Sequence, residues 1–146
     1  MKYIDTSVIV SALDPADPST ISSVEVLQKP GKVVSELVIT ELSSVLPRNK
    51  NFVTLMDELS GDRASSLYAV ILFIIQTFDL LFLPVQQTQV EMPIGHYSNI
   101  MSFTVELSRD IPMRTLDLLH LSYVHAIMES TKADIELITR DREFEI

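Results

Sequence analysis

Short apolar runs alternate with longer stretches of helical spacing along this chain, and polar breaks separate them. Tyr3 and Ile4 are good strand residues, and Val8, Ile9, Val10, Ala12 and Leu13 follow as the apolar run of a buried helix, so the spacing predicts a strand over 2–5 and a helix from 6 or 7 to 13. Asp14-Pro15 stops that helix, because the residue before proline is pushed out of the α region. Asp17-Pro18-Ser19 opens a second helix over 19–28, with Ile21, Val24 and Leu27 at helical spacing, and Lys29-Pro30-Gly31-Lys32 turns the chain. Val33-Val34 predicts a short buried strand and Ser35 a cap. Leu37, Val38, Leu42 and Val45 form the inner face of a helix over 37–46. After a break at 47–51, two helices are expected over 52–59 and 62–78, joined at Ser60-Gly61, and then a strand over 80–83. A polar, proline-containing connection over 84–93 leads to a helix near 96–108, a loop over 109–114, a mostly apolar helix from 115 to about 129, and a last strand over 135–138. This alternation predicts an α/β fold in three layers, a central, mostly parallel sheet with helices on both faces.

Length and composition narrow the picture. The 146 residues suit one domain with a real core, and 47% apolar against 21% charged residues describes a globular chain. The absence of cysteine excludes disulfides, thiolate metal sites and a cysteine nucleophile, and fits a reducing, cytoplasmic setting. The first strand begins at residue 2, which leaves no room for a signal peptide. Residues 67–85 are apolar enough to suggest a membrane, but Gln76, Asp79 and Pro84 interrupt them, so a buried helix followed by a strand is expected, with some of that surface available to a second subunit. With 20 acids against 11 bases the formal charge is −9, and such a surface repels nucleic acid unless cations neutralise part of it.

Four acids stand where chemistry is placed in such folds. Asp5 falls between the first strand and its helix, and Asp141 just after the last strand. Open α/β sheets collect ligands at the carboxyl ends of their strands. Glu41 shares the inner face of its helix with Leu37 and Val38, and Asp117 lies in the first turn of the apolar helix TLDLLHLSYVHAIM. Each acid alone could cap a helix or complement a helix dipole. Asp117, surrounded by leucines, needs a partner, because unpaired burial of a carboxylate is costly. Four carboxylates that converge repel one another and call for a divalent cation; oxygen-only ligands select Mg²⁺ or Mn²⁺, as phosphodiester hydrolysis requires.

With these residues in view, the chain resembles the PIN-domain ribonucleases, and among them the small toxins of VapC type found in bacteria and archaea. The matching pieces are YIDTSVIVSAL at the start, VVSELVITEL around Glu41, TLDLLHLS around Asp117 and LITRDREF at the end, in family order. The resemblance implies a Rossmann-like PIN fold and Mg²⁺- or Mn²⁺-dependent endoribonuclease activity on RNA. It implies that Asp5 and Asp117 are the most direct metal ligands, that Glu41 orients water on the ion, and that Asp141 completes the site or holds a second ion. Ser7 and Thr139 match hydroxyl positions beside the acids, although a helix cap and a strand-end turn would explain them equally well. It also implies a homodimer and a small antitoxin protein as partner. Rim contacts to RNA would come from Arg48, Lys50, Arg109, Arg114, Arg140 and Arg142.

Other chemistries fit less well. His120 and His125 are five residues apart, on different helix faces, so they lack the i, i+4 pairing of a zinc helix, and both are expected as core or surface histidines, as is His96. A phosphatase of the haloacid dehalogenase type needs a second aspartate where Ser7 stands, three glycines cannot build a phosphate loop, and no nucleophile elbow is present. The competitor of another class is a PIN-like binding or scaffold protein with little or no catalysis, which the acidic balance favours and the full set of acids opposes. Exchange of Asp5 or Asp117 for asparagine is expected to abolish activity and to leave the fold intact or slightly stabilised.

Overall fold

The computed structural model describes residues 1–49 and 62–144. Strand β1 (Lys2–Ile4) leads into α1 (Thr6–Leu13), α2 (Thr20–Leu27) follows, and β2 (Lys32–Val34) precedes α3 (Glu36–Val45) and a 3-10 turn at Leu46–Arg48. Next come α4 (Arg63–Thr77), β3 (Leu81–Phe82), the hairpin β4 (Gln89–Met92) and β5 (Gly95–Ser98), then α5 (Asn99–Leu107), α6 (Thr115–Thr131) and β6 (Glu136–Ile138), with a final 3-10 turn at Arg142–Phe144. The helix expected over 52–59 lies outside the described residues. The other expected helices and the strands of the main sheet stand within a few residues of their sequence positions.

The main sheet has the order β3-β2-β1-β6, and every pairing in it is parallel. Tyr3 pairs with Val33 on one side and Leu137 on the other. Because β2 and β3 extend the sheet on one side of β1 and β6 is added on the other, the chain reverses direction across the sheet beside β1. The carboxyl ends of β1 and β6 therefore flank a switch point, where ligands bind in open α/β sheets. Tyr3, Ile4, Val33 and Val34 are fully buried, as expected of strands covered on both faces. Val8, Ile9, Val38 and Leu42 bring α1 and α3 into the same core, and Val70, Ile71 and Ile74 bring in α4.

In α4 the buried positions recur at helical spacing while Tyr68, Leu72 and Phe73 are exposed. Among the described residues no helix is long and apolar enough to cross a membrane. Helices α5 and α6 pack together through a buried hydroxyl pair, Thr104 Oγ1 to Ser122 Oγ at 2.8 Å; one hydroxyl donates to the other, which donates to a carbonyl one turn back on its own helix.

One stretch departs from expectation. Residues 89–98 form an antiparallel hairpin, with Val90 opposite Tyr97 and Met92 opposite Gly95, where a connection and the start of a helix were expected. Pro93 and Ile94 make the two-residue turn, and Gly95 adopts φ +132°, which a side chain would resist. The helix starts later because Ser98 caps it, its hydroxyl accepting the Met101 N–H at 3.2 Å. Ser35 occupies the cap position of α3 but makes no cap bond, its hydroxyl being engaged elsewhere.

Leu42 lies one residue from Glu41 on α3 and is fully buried. Leu42→Ala should lower the free energy of unfolding by about 2–5 kcal/mol, read from chemical denaturation.

Candidate active site

All four acids line one open cleft of about 660 Å³ at the carboxyl edge of the sheet, together with Thr6, Ser7, Arg48, Arg114 and His120. Strand β1 ends at Ile4, and the N–H of Asp5 donates to the Ile138 carbonyl at 3.0 Å, so Asp5 is tied to the end of β6. Asp5 stands at the N-cap position of α1 but makes no side-chain cap bond. Its Oδ2 accepts instead from Ser7 Oγ at 2.5 Å and Thr139 Oγ1 at 2.6 Å. Those hydroxyls accept in turn from the N–H groups of Arg140 and Asp141, both at 3.0 Å. Ser7 and Thr139 thus do more than cap and turn: they bind the segment after β6 to Asp5.

The residue that the sequence reading set aside is His120. It is buried, and its Nε2 lies 2.9 Å from Glu41 Oε2 and 3.2 Å from Asp5 Oδ1. His120 follows Asp117 by three residues and so shares its helix face. The spacing between the two histidines was uninformative; the spacing from the acid carried the signal. His125 does lie apart, stacked on Phe103 with ring centroids 4.2 Å apart.

Behind the imidazole, Nδ1 lies 3.1 Å from the Tyr3 hydroxyl, which lies 2.7 Å from Ser35 Oγ. A carboxylate can only accept, so Nε2 carries a hydrogen, and in the neutral ring Nδ1 then accepts from Tyr3. Burial pushes the Tyr3 hydroxyl far above its ordinary pKa, so it keeps its proton. Burial also raises the Glu41 carboxyl, but hydrogen bonds from His120 and Thr6, with the charge interaction of His120, outweigh it and hold the group below its ordinary value. Thr6 Oγ1 donates to the same oxygen at 2.5 Å. Glu41 is therefore ionised at neutral pH.

On the other side of the cleft, Asp117 is buried in the first turn of α6, and Arg114 Nε donates to its Oδ2 at 3.0 Å. Arg114 Nη2 contacts Asp141 Oδ2, joining the start of α6 to the segment after β6. Of the other expected rim cations, Arg48 folds back on Ser44 and Arg140 reaches the hydroxyls of Ser22 and Ser23, while Lys50 lies outside the described residues.

The donors suit a divalent cation. Asp5, Glu41 and His120 each offer one ligand atom, and these atoms lie within 4.8 Å of one another. Asp117 and Asp141 already receive positive charge from a guanidinium. The imidazole changes the expected oxygen-only set: with Nε2 carrying a hydrogen it orients the carboxylates, and only the other tautomer could ligate an ion.

A parallel α/β sheet with a carboxylate cluster at its switch point defines the class of fold, and the comparisons give the family. Residues 2–146 match the PIN domain family, and the chain belongs to it. By structure it is similar to the sarcin-ricin-loop-cleaving toxin VapC20 of Mycobacterium tuberculosis, with a TM-score of 0.62 and 13% identity over 99% of this chain and 93% of that one. It is also similar to a chain of VapBC2 from Rickettsia felis, solved with a DNA fragment from their promoter, with a TM-score of 0.54 and 20% identity over 99% of this chain and 92% of the other. No curated protein matches the sequence.

Two substitutions probe the hydrogen bonding. Asparagine at position 5 must turn its NH₂ either toward two hydroxyls or toward His120, so Asp5→Asn should cost about 1–3 kcal/mol of stability, in place of the neutral or stabilising effect expected from repulsion alone. Tyr3→Phe strips both Ser35 and His120 of a buried partner and should cost a similar amount, about 1–3 kcal/mol, measured by urea unfolding of the metal-free protein.

Proposed function

We propose that this protein is a single-domain, Mg²⁺- or Mn²⁺-dependent endoribonuclease of VapC type, the toxin of a toxin–antitoxin pair. The observation that carries the proposal is the single cleft lined by Asp5, Glu41, Asp117 and Asp141 at the switch point of a PIN fold. In this reading Asp5 and Asp117 hold the ion, Glu41 takes part in orienting the attacking water, and Asp141 completes the site. Ser7 and Thr139 fix the rotamer of Asp5, and His120 fixes Glu41 against it. When bound, the divalent cation supplies Lewis acidity and a nucleophile at neutral pH. The chain's own part is to hold the carboxylates in one place, which regular strands and helices do better than loops.

RNA is the substrate that suits an open cleft, and the acidic surface means that its approach depends on cations. The exposed Tyr68, Leu72 and Phe73 of α4 support a homodimer, and a small antitoxin in the same cytoplasm is the partner that the VapBC likeness suggests. The formal charge of −9 favours a second reading, a PIN-like scaffold with little catalysis.

Isothermal titration of Mn²⁺ with parallel RNA cleavage separates the two readings. The nuclease should bind Mn²⁺ saturably and cleave RNA only with the ion present. Asp117→Asn should lower the rate on the order of 100-fold or more while remaining folded. Absence of Mn²⁺ binding by the wild-type protein would move the assignment to the scaffold.

A further inference from the structure

Arg114 is placed unusually for a residue expected to meet substrate. Its guanidinium stands inside the acid cluster, with Nε on Asp117 Oδ2 and Nη2 on Asp141 Oδ2. The two carboxylates belong to segments 24 residues apart in sequence, and Asp117 is buried, so their approach places negative charge where water screens it poorly. The fork of donors on a guanidinium is suited to spanning two carboxylates, and a lysine, with its single point of charge, is not. The side chain is also 60% exposed, so it can leave the cleft without breaking the core.

We propose that Arg114 is an internal placeholder cation, a positioning residue that holds Asp117 and Asp141 together in the metal-free protein and must be displaced when the divalent ion enters. The inference rests on the metal-site reading above and adds to it a competition within the chain. On that reading the ion and the guanidinium compete for the carboxylates of Asp117 and Asp141. Arg114 therefore stabilises the empty site and weakens metal binding, and it keeps the carboxylates in place until the ion arrives. Arg48 lines the same cleft with the same charge but bonds to Ser44, and so serves as the control for charge alone.

The test is Mn²⁺ titration calorimetry on the wild type, Arg114→Gln, Arg48→Gln and Asp5→Asn, with melting temperatures recorded in the presence and absence of Mn²⁺. Arg114→Gln should melt lower than the wild type without the ion and bind Mn²⁺ about tenfold more tightly, while Arg48→Gln changes affinity by no more than about twofold. A residue that merely kept the fold in order would shift affinity the other way. Equal or weaker binding by Arg114→Gln overturns the proposal, as does an equal gain in Arg48→Gln, which would reduce the effect to net charge. Should the wild type bind Mn²⁺ and Asp5→Asn not, a failure of Arg114→Gln to gain affinity falls on the placeholder alone. Should the wild type bind no Mn²⁺, the metal-site reading fails and the placeholder falls with it.

Discussion

Mutual repulsion among carboxylates at one edge of the sheet is the constraint that the local structure answers. A short strand fixes Asp5: Tyr3 and Ile4 are buried, and the backbone of Asp5 is bonded to the end of β6. With that acid immovable, compensation must come from its neighbours. Two hydroxyls take one of its oxygens, an imidazole stands between it and Glu41, and a guanidinium spans the remaining pair. The cluster is thus divided into two halves, each carrying its own positive or hydrogen-bonding partner. Without those partners, burial of Asp5 and Asp117 would be costly.

The acids were legible in the sequence because their signal is local. An acid at a strand-to-helix junction, or on an apolar helix face, can be recognised from a few neighbours on either side. The partners were less legible, for two different reasons. His120 is three residues from Asp117, so its place is encoded by its spacing from the acid and not by its spacing from His125. Arg114 reaches Asp141 across 27 residues, and no local pattern encodes that contact. It read as one rim charge among several. The sheet was legible because β1 and β2 are buried and because β3 and β6, though more exposed, also read as apolar runs. The hairpin at 89–98 was not, since its strands are mostly exposed and its apolar face is only Val90, Met92 and Tyr97.

Structural likeness at 13% and 20% identity has a physical explanation in the same geometry. The fold asks for apolar residues in β1 and β2, which many sequences supply, and for a chain path that reverses beside β1. Those demands say little about chemistry. What a given chain does depends on the side chains at the carboxyl edge, a small set of positions that can change while the core is kept. Membership of the PIN domain family accordingly settles the scaffold, and the cleft residues carry the case for activity.

Core and site are nevertheless not independent in this protein. Tyr3 is a core residue by burial, yet its hydroxyl is a link in a path running from Ser35 through Tyr3 and His120 to Glu41. The path crosses from the residue after β2 to β1, to α6 and out to α3. The carboxylates require the hydrogen on Nε2, and the Tyr3 hydroxyl, able to donate to Nδ1, completes that tautomer from inside the core. The direction in which His120 presents its hydrogen decides whether it orients carboxylates or competes as a ligand. The identity of a buried aromatic residue in the first strand therefore bears on the chemistry of the cleft.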